Sequence, residues 1–170
     1  MKKILLLFIT SAILFIASCG DSKKEENPAI PGMMQVDIKI NGNDLLIMVP
    51  DSTQGKLEIM EQSWGATEIK VGKEFQISIS EGEGDIALMK SDIAGNDVNK
   101  FKRFIKDEPN LLFWESEITE PEFHFYSITK VGTVSYLVED IKEEHFTEKG
   151  AQKMIDAAKT LKTKGSSPNS

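Results

Sequence analysis

The chain has 170 residues, of which 20 are Lys or Arg and 27 are Asp or Glu, giving a net charge of −7 with neutral histidines. An acidic surface repels nucleic acid and anionic headgroups, so nucleic acid is not an expected partner, and one arginine, Arg103, leaves little means of bidentate phosphate capture. Cys19 is the only cysteine, which removes internal disulfides, thiolate metal sites and redox pairs.

Lys2 and Lys3 precede an apolar run from Ile4 to Ala17 that is broken only by Thr10 and Ser11. Positive, apolar and small residues in that order make a secretory signal, and the run falls short of the about 20 apolar residues that a membrane span requires. Its ending, Ile16-Ala17-Ser18-Cys19, resembles the lipobox of bacterial lipoproteins. The resemblance implies that residues 1–18 are a signal peptide cut before Cys19. It further implies a diacylglycerol on the Cys19 sulfur, often with an acyl chain on the new amine, and an extracytoplasmic protein held to a membrane by lipid. In lipoproteins of this kind an Asp directly after the cysteine commonly retains the protein in the inner membrane. Here Gly20 follows and Asp21 comes one place later, so the outer membrane is the expected address in a Gram-negative cell, facing the periplasm or the surface. The run Lys23-Lys24-Glu25-Glu26 is similar to acidic surface-export signals and reads equally as a solvated linker. Without residues 1–18 the chain would keep 152 residues with 18 basic and 27 acidic side chains. That is room for one domain of ordinary size.

Residues 19–34 read as a lipidated cysteine and flexible tether, rich in charge and containing Asn27-Pro28 and Pro31-Gly32. A single globular domain is expected over 35–163 and a disordered tail over 164–170. Val36, Ile38 and Ile40 alternate with polar residues, Asn41-Gly42 accepts positive φ, and Leu45 to Val49 is again apolar, which predicts a hairpin. Strands are expected around Leu57–Ile59, Ile69–Val71 and Phe75–Ile79, and again at Leu111–Trp114, Phe123–Ile128 and Val134–Val138. Between them, Ile86, Met89 and Ile93, then Val98, Phe101, Phe104 and Ile105, recur at spacings of three and four, which predicts two short helices, the second capped by Asn96 or Asp97. Phe146, Ala151, Met154, Ile155, Ala158 and Leu161 predict a C-terminal amphipathic helix with Thr147 as N-cap. The expected fold class is α+β, an antiparallel sheet of about six to eight strands packed with a middle helical pair and the terminal helix. This order of elements is similar to that of PsbP-like sandwich domains, a resemblance of order alone that carries no residue or role across.

Chemistry is sparsely marked. His124 lies in Phe123-His124-Phe125-Tyr126, where alternation sets His124 and Tyr126 on the face opposite the phenylalanines; His145 precedes Phe146 at a helix start. Neither stands in a metal-ligand spacing, no cofactor loop is present, and no Gly-x-Ser-x-Gly elbow occurs. Glu81, Glu83 and Asp85 alternate with glycine and read as an acidic turn rather than a calcium loop, which needs more ligands in a defined order. Glu115, Glu117, Glu120 and Glu122 offer carboxylate pairs of the kind glycoside hydrolysis uses, but spacing cannot pair them. The leading expectation is a non-enzymatic, lipid-anchored binding or assembly domain of the cell envelope, with Trp64, His124 and Tyr126 as partner contacts. No catalytic residue, metal or cofactor is assigned, and the partner would be an envelope protein or polymer. The alternatives are an envelope-polymer hydrolase working through carboxylates, or a carrier with an apolar cavity for a small ligand.

Overall fold

The computed structural model describes residues 30–165 except Asn99 and Glu143. The expected signal peptide, Cys19 and most of the expected tether and tail lie outside these residues. The protein is α+β, with two antiparallel sheets and two helices among the described residues.

Strands β1 (Met33–Ile40) and β2 (Asn43–Pro50) form the expected hairpin, Ile40 facing Asn43 across a turn in which Asn41 and Gly42 both have positive φ. β1 begins at Met33, so Met33 and Met34 belong to the folded domain and not to the tether. The large sheet is built from β3 (Leu57–Glu61), β4 (Thr67–Val71), β5 (Phe75–Glu81), β6 (Phe101–Glu108), β7 (Leu111–Glu117), β8 (Pro121–Val131) and β9 (Val134–Asp140). Its order is β3-β4-β5-β9-β8-β7-β6, so β9 inserts beside β5 and both β3 and β6 are edges. Helix α1 (Ile86–Gly95) connects β5 to β6, capped by the Asp85 carboxylate, which accepts from the Leu88 N–H at 2.9 Å.

The expected second middle helix is instead strand β6. Phe101 pairs with Ser116 and Phe104 with Trp114, and a register shift between Phe101 and Arg103 accommodates one extra residue. On a regular strand, residues three apart point to opposite faces. The bulge resets the phase, so Phe101 and Phe104 share a face with their rings 4.6 Å apart. A bulged strand thereby reproduces a helical spacing. Asn96, expected as the cap of that helix, is the C-cap of α1.

Helix α2 (Glu148–Ala158) begins where Thr147 Oγ1 accepts from the Gly150 N–H at 3.1 Å, as its sequence predicts. Ala151, Met154, Ile155 and Ala158 form the apolar stripe of a helix buried on one side. The stripe packs on β5, β8 and β9 of the large sheet and on β2 of the small one. After Ala158 the chain turns and Lys162–Thr163 add a short strand, β10, to the outer side of β2. Lys162 and Lys164 therefore lie beyond the helix end, and the expected tail begins ordered: the Lys164 N–H donates to the Asp44 carbonyl and its ammonium meets Asp37 at 2.6 Å.

Two glycines separate helix propensity from packing. Alanine is favoured over glycine in a helix by about 1 kcal/mol. At Gly95 a methyl group meets nothing within 4 Å, whereas at Gly150 it would lie 2.8 Å from the Glu74 carbonyl oxygen. Gly95→Ala is expected to raise stability by about 0.5 kcal/mol and Gly150→Ala to lower it by at least about 1 kcal/mol, measured as urea midpoints; equal shifts of the same sign would refute the packing of α2 onto β5.

Candidate functional site

Three adjacent strands assemble a cluster on the outer face of the large sheet. Trp114 and Ser116 on β7 lie opposite His124 and Glu122 on β8. Directly opposed residues of an antiparallel pair share a face, which places these four side chains together. The ladder between β8 and β9 ends with Tyr126 opposite Glu139. Asp140, the next residue, takes over from the backbone: its Oδ1 accepts from the Phe125 N–H at 2.7 Å and its Oδ2 lies 2.8 Å from His124 Nδ1. On the other side of the ring, Glu122 Oε2 stands 3.6 Å from His124 Nε2. Glu122 Oε1 in turn meets His145 Nδ1 at 2.6 Å. The Trp114 and His124 rings are 5.5 Å apart at 32°.

Burial gives these contacts their weight. Glu122 and Asp140 are 6% and 5% exposed, a depth at which carboxylates are rarely found without partners. His124 is largely enclosed, while His145 stands mostly in solvent and leans on Glu122 from the rim. Burial pushes the His124 imidazole down, but the hydrogen bond and charge of Asp140, followed by those of Glu122, outweigh it and hold the group above its ordinary value. Asp140 and Glu122 thus favour the protonated form of the ring that lies between them. Neighbouring Glu139 is raised by burial, an effect that Lys142 opposes and Asp140 reinforces. Tyr126 is also raised, chiefly by burial and then by the charges of Glu139 and Asp85.

These side chains border a pocket of about 420 Å³, lined as well by Ile118, Phe125, Lys142 and Glu144. The arrangement suits binding better than proton transfer. A general base needs a lone pair aimed at substrate, and both nitrogens of His124 face carboxylates. Among the described residues no three His, Cys, Asp or Glu side chains form a group able to hold a metal ion. A second pocket, of about 320 Å³, opens beside β10 between Leu46, Met48 and Leu161, with Lys159 and Lys162 on its rim. It is a surface groove of the small sheet and not the enclosed cavity that a carrier would need.

The residues singled out from sequence are dispersed. His124 is in the pocket; Tyr126, on the same strand, is buried beneath the neighbouring region and 5% exposed. Trp64 is 70% exposed at the turn between β3 and β4, separated from β8 by three strands of the sheet. Of the four clustered glutamates only Glu122 enters the pocket; Glu115 pairs with Arg103 and Glu117 with Lys102, both at 2.7 Å. The acidic turn is also accounted for, since Glu81 accepts from Asn41 and Asn43 and Asp85 caps α1. Asp140, the ring's closest partner, was missed. It falls in phase with buried Tyr136 and Val138, and an acid at an apolar position of an alternating strand is the signal that marks it.

No protein-family model, no curated protein and no solved structure matches this chain.

The raised imidazole links the site to stability. A group whose folded value exceeds its unfolded one, about 6.5 for imidazole, contributes fully below the unfolded value and loses that contribution as pH rises through the folded one. Asp140→Asn removes the main stabilising charge. The His124 titration followed by NMR is expected to move down, and stability at pH 6 to fall by about 1.5–3 kcal/mol, with a smaller loss at pH 9. An unchanged titration would show that Asp140 does not hold the proton on His124.

Proposed function

We propose that this protein is a lipid-anchored domain of the cell envelope that binds an envelope protein or polymer without transforming it, and that the pocket around His124 is its binding site. Anchoring rests on the lipobox resemblance at Ile16-Ala17-Ser18-Cys19, with the residues before Ile30 serving as a spacer between bilayer and domain. One lipid chain binds a membrane only marginally and two or three hold it firmly. An oxidising compartment is not needed for the fold, because Cys19 is the single cysteine of the chain.

The observation that carries the binding reading is the placement of buried ionisable groups at a concave surface. Glu122, His124 and Asp140 are desolvated together beside an aromatic ring, in a pocket large enough for a side chain or a sugar unit. Such clusters concentrate at functional sites. The hydrolase alternative finds carboxylates in the same pocket, but two of the four, Glu122 and Asp140, are bound to imidazoles.

Two measurements check the proposal. Cys19→Ala is expected to abolish incorporation of a labelled fatty acid and to leave the membrane fraction empty of processed protein; labelling that persists in this variant would refute the anchor. Detergent-solubilised wild-type protein is expected to retain an envelope component that Trp114→Ala and Glu122→Gln release. If purified protein instead cleaves an envelope polymer and Glu122→Gln abolishes the cleavage, the domain is an enzyme.

A further inference from the structure

We infer that the His124 pocket accepts a cationic group on an apolar stem, the ammonium or guanidinium of a peptide side chain, held between Trp114 and the carboxylates of Glu122 and Glu139. The inference deepens the binding reading above and rests on it. Four carboxylates, Glu122, Glu139, Asp140 and Glu144, line the pocket against one lysine, Lys142, and two imidazoles. Even with His124 charged, the lining stays negative and the local field favours a cation.

The carboxylates differ in how far they are engaged. Asp140 is fully committed to His124 and the Phe125 N–H, and Glu122 is shared between the two histidines. Glu139 is held above its ordinary value by burial and then by the charge of Asp140, with the charge of Lys142 opposing. A carboxylate already desolvated gains more from an incoming cation than one in water, because the local dielectric is lower. Ser116 supplies an independent sign of an incomplete polar set. It is 1% exposed, lies opposite Glu122, borders the pocket, and its hydroxyl has no hydrogen-bond partner among the described residues. A buried hydroxyl without a partner costs stability, and a donor or displaced carboxylate oxygen in the pocket would relieve that cost.

Trp114 and Ile118 explain the apolar stem. An indole face attracts ammonium and guanidinium groups within about 6 Å and also covers methylenes. Ile118 is 55% exposed at the same rim, a contact surface for the stem of a long side chain. An anionic ligand would meet Glu122, Glu139 and Glu144 with Lys142 as its only fixed counter-charge.

The test uses Trp114 as reporter in a full-length Trp64→Phe background, where the exposed tryptophan no longer contributes. Nα-acetyl-lysinamide and Nα-acetyl-argininamide are expected to change its fluorescence saturably, with a dissociation constant in the millimolar range, about 10⁻³ M. The Nε-acetylated lysine analogue and Nα-acetyl-glutamine amide are expected not to saturate. Glu139→Gln should weaken the cations about fivefold or more, and Lys142→Ala, which removes a competing cation, should tighten them. A tightening cannot come from a misfolded variant. Equal binding of the neutral analogues, insensitivity to both substitutions, or no saturation by either cation overturns the inference. If the envelope component is still retained through Trp114 in that case, the pocket remains a binding site for an uncharged partner; loss of that retention as well removes the binding reading itself.

Discussion

Helix α2 is the element on which the rest of the structure depends. With no disulfide available, the two sheets are joined by packing and a few hydrogen bonds, such as that from Thr67 on β4 to the Lys39 carbonyl on β1, and α2 is buried against both of them through one stripe of small and flexible side chains. Ala151, Ala157 and Ala158 let the helix approach closely, while Met154 fills the space between and accepts a long contact from the Gln76 N–H at 3.3 Å. A thioether is adaptable enough to fill an irregular gap where two sheets diverge. The same helix orders the approach to its own N-terminus. Phe146 is buried, and its carbonyl accepts from the Phe123 N–H at 3.1 Å, so the residue before it, His145, is held beside Glu122.

The pocket is thus a consequence of core packing on the far side of the sheet. β8 carries both sets of side chains: Phe125 points into the core beneath α2, and His124 and Glu122 point outward. Asp140 joins the two layers, because β9 stops one residue after Glu139 and leaves the Phe125 N–H to be satisfied by a side chain. The carboxylate that satisfies the backbone also fixes the imidazole. Removing it would break a ladder end and a charge pair at once, which is why the site and the fold cannot be separated at this position.

Much of the fold was legible because its strands obey a simple alternation. β1, β4, β5 and β9 each bury every second residue, and the turns between them carry Asn-Gly or glycine where positive φ is required. β6 was read as a helix because bulges insert unpaired residues and turn a period of two into an apparent period of three. β10 was not legible: its two residues have no pattern of their own and are strand only because β2 offers them an edge. The site was legible in part for a different reason. Alternation correctly set His124 opposite the phenylalanines, but the partners of a ring are fixed by register, and register between β7, β8 and β9 is a property of the whole sheet.

A buried imidazole held between two carboxylates is a costly way to make a stable sheet face, since an apolar trio of similar volume is often no less stable. Its geometry points away from proton shuttling, because a general base needs a free lone pair directed at substrate, whereas both nitrogens of this ring face carboxylates. What such a ring does supply is a fixed local pattern: it engages Glu122 and Asp140, while the burial of Glu139 is opposed only by the charge of Lys142. The pocket lining is thereby patterned in charge rather than uniformly acidic. Trp64, exposed three strands away on the β3–β4 turn, belongs to a different part of the molecule and offers an apolar contact with none of this charge pattern.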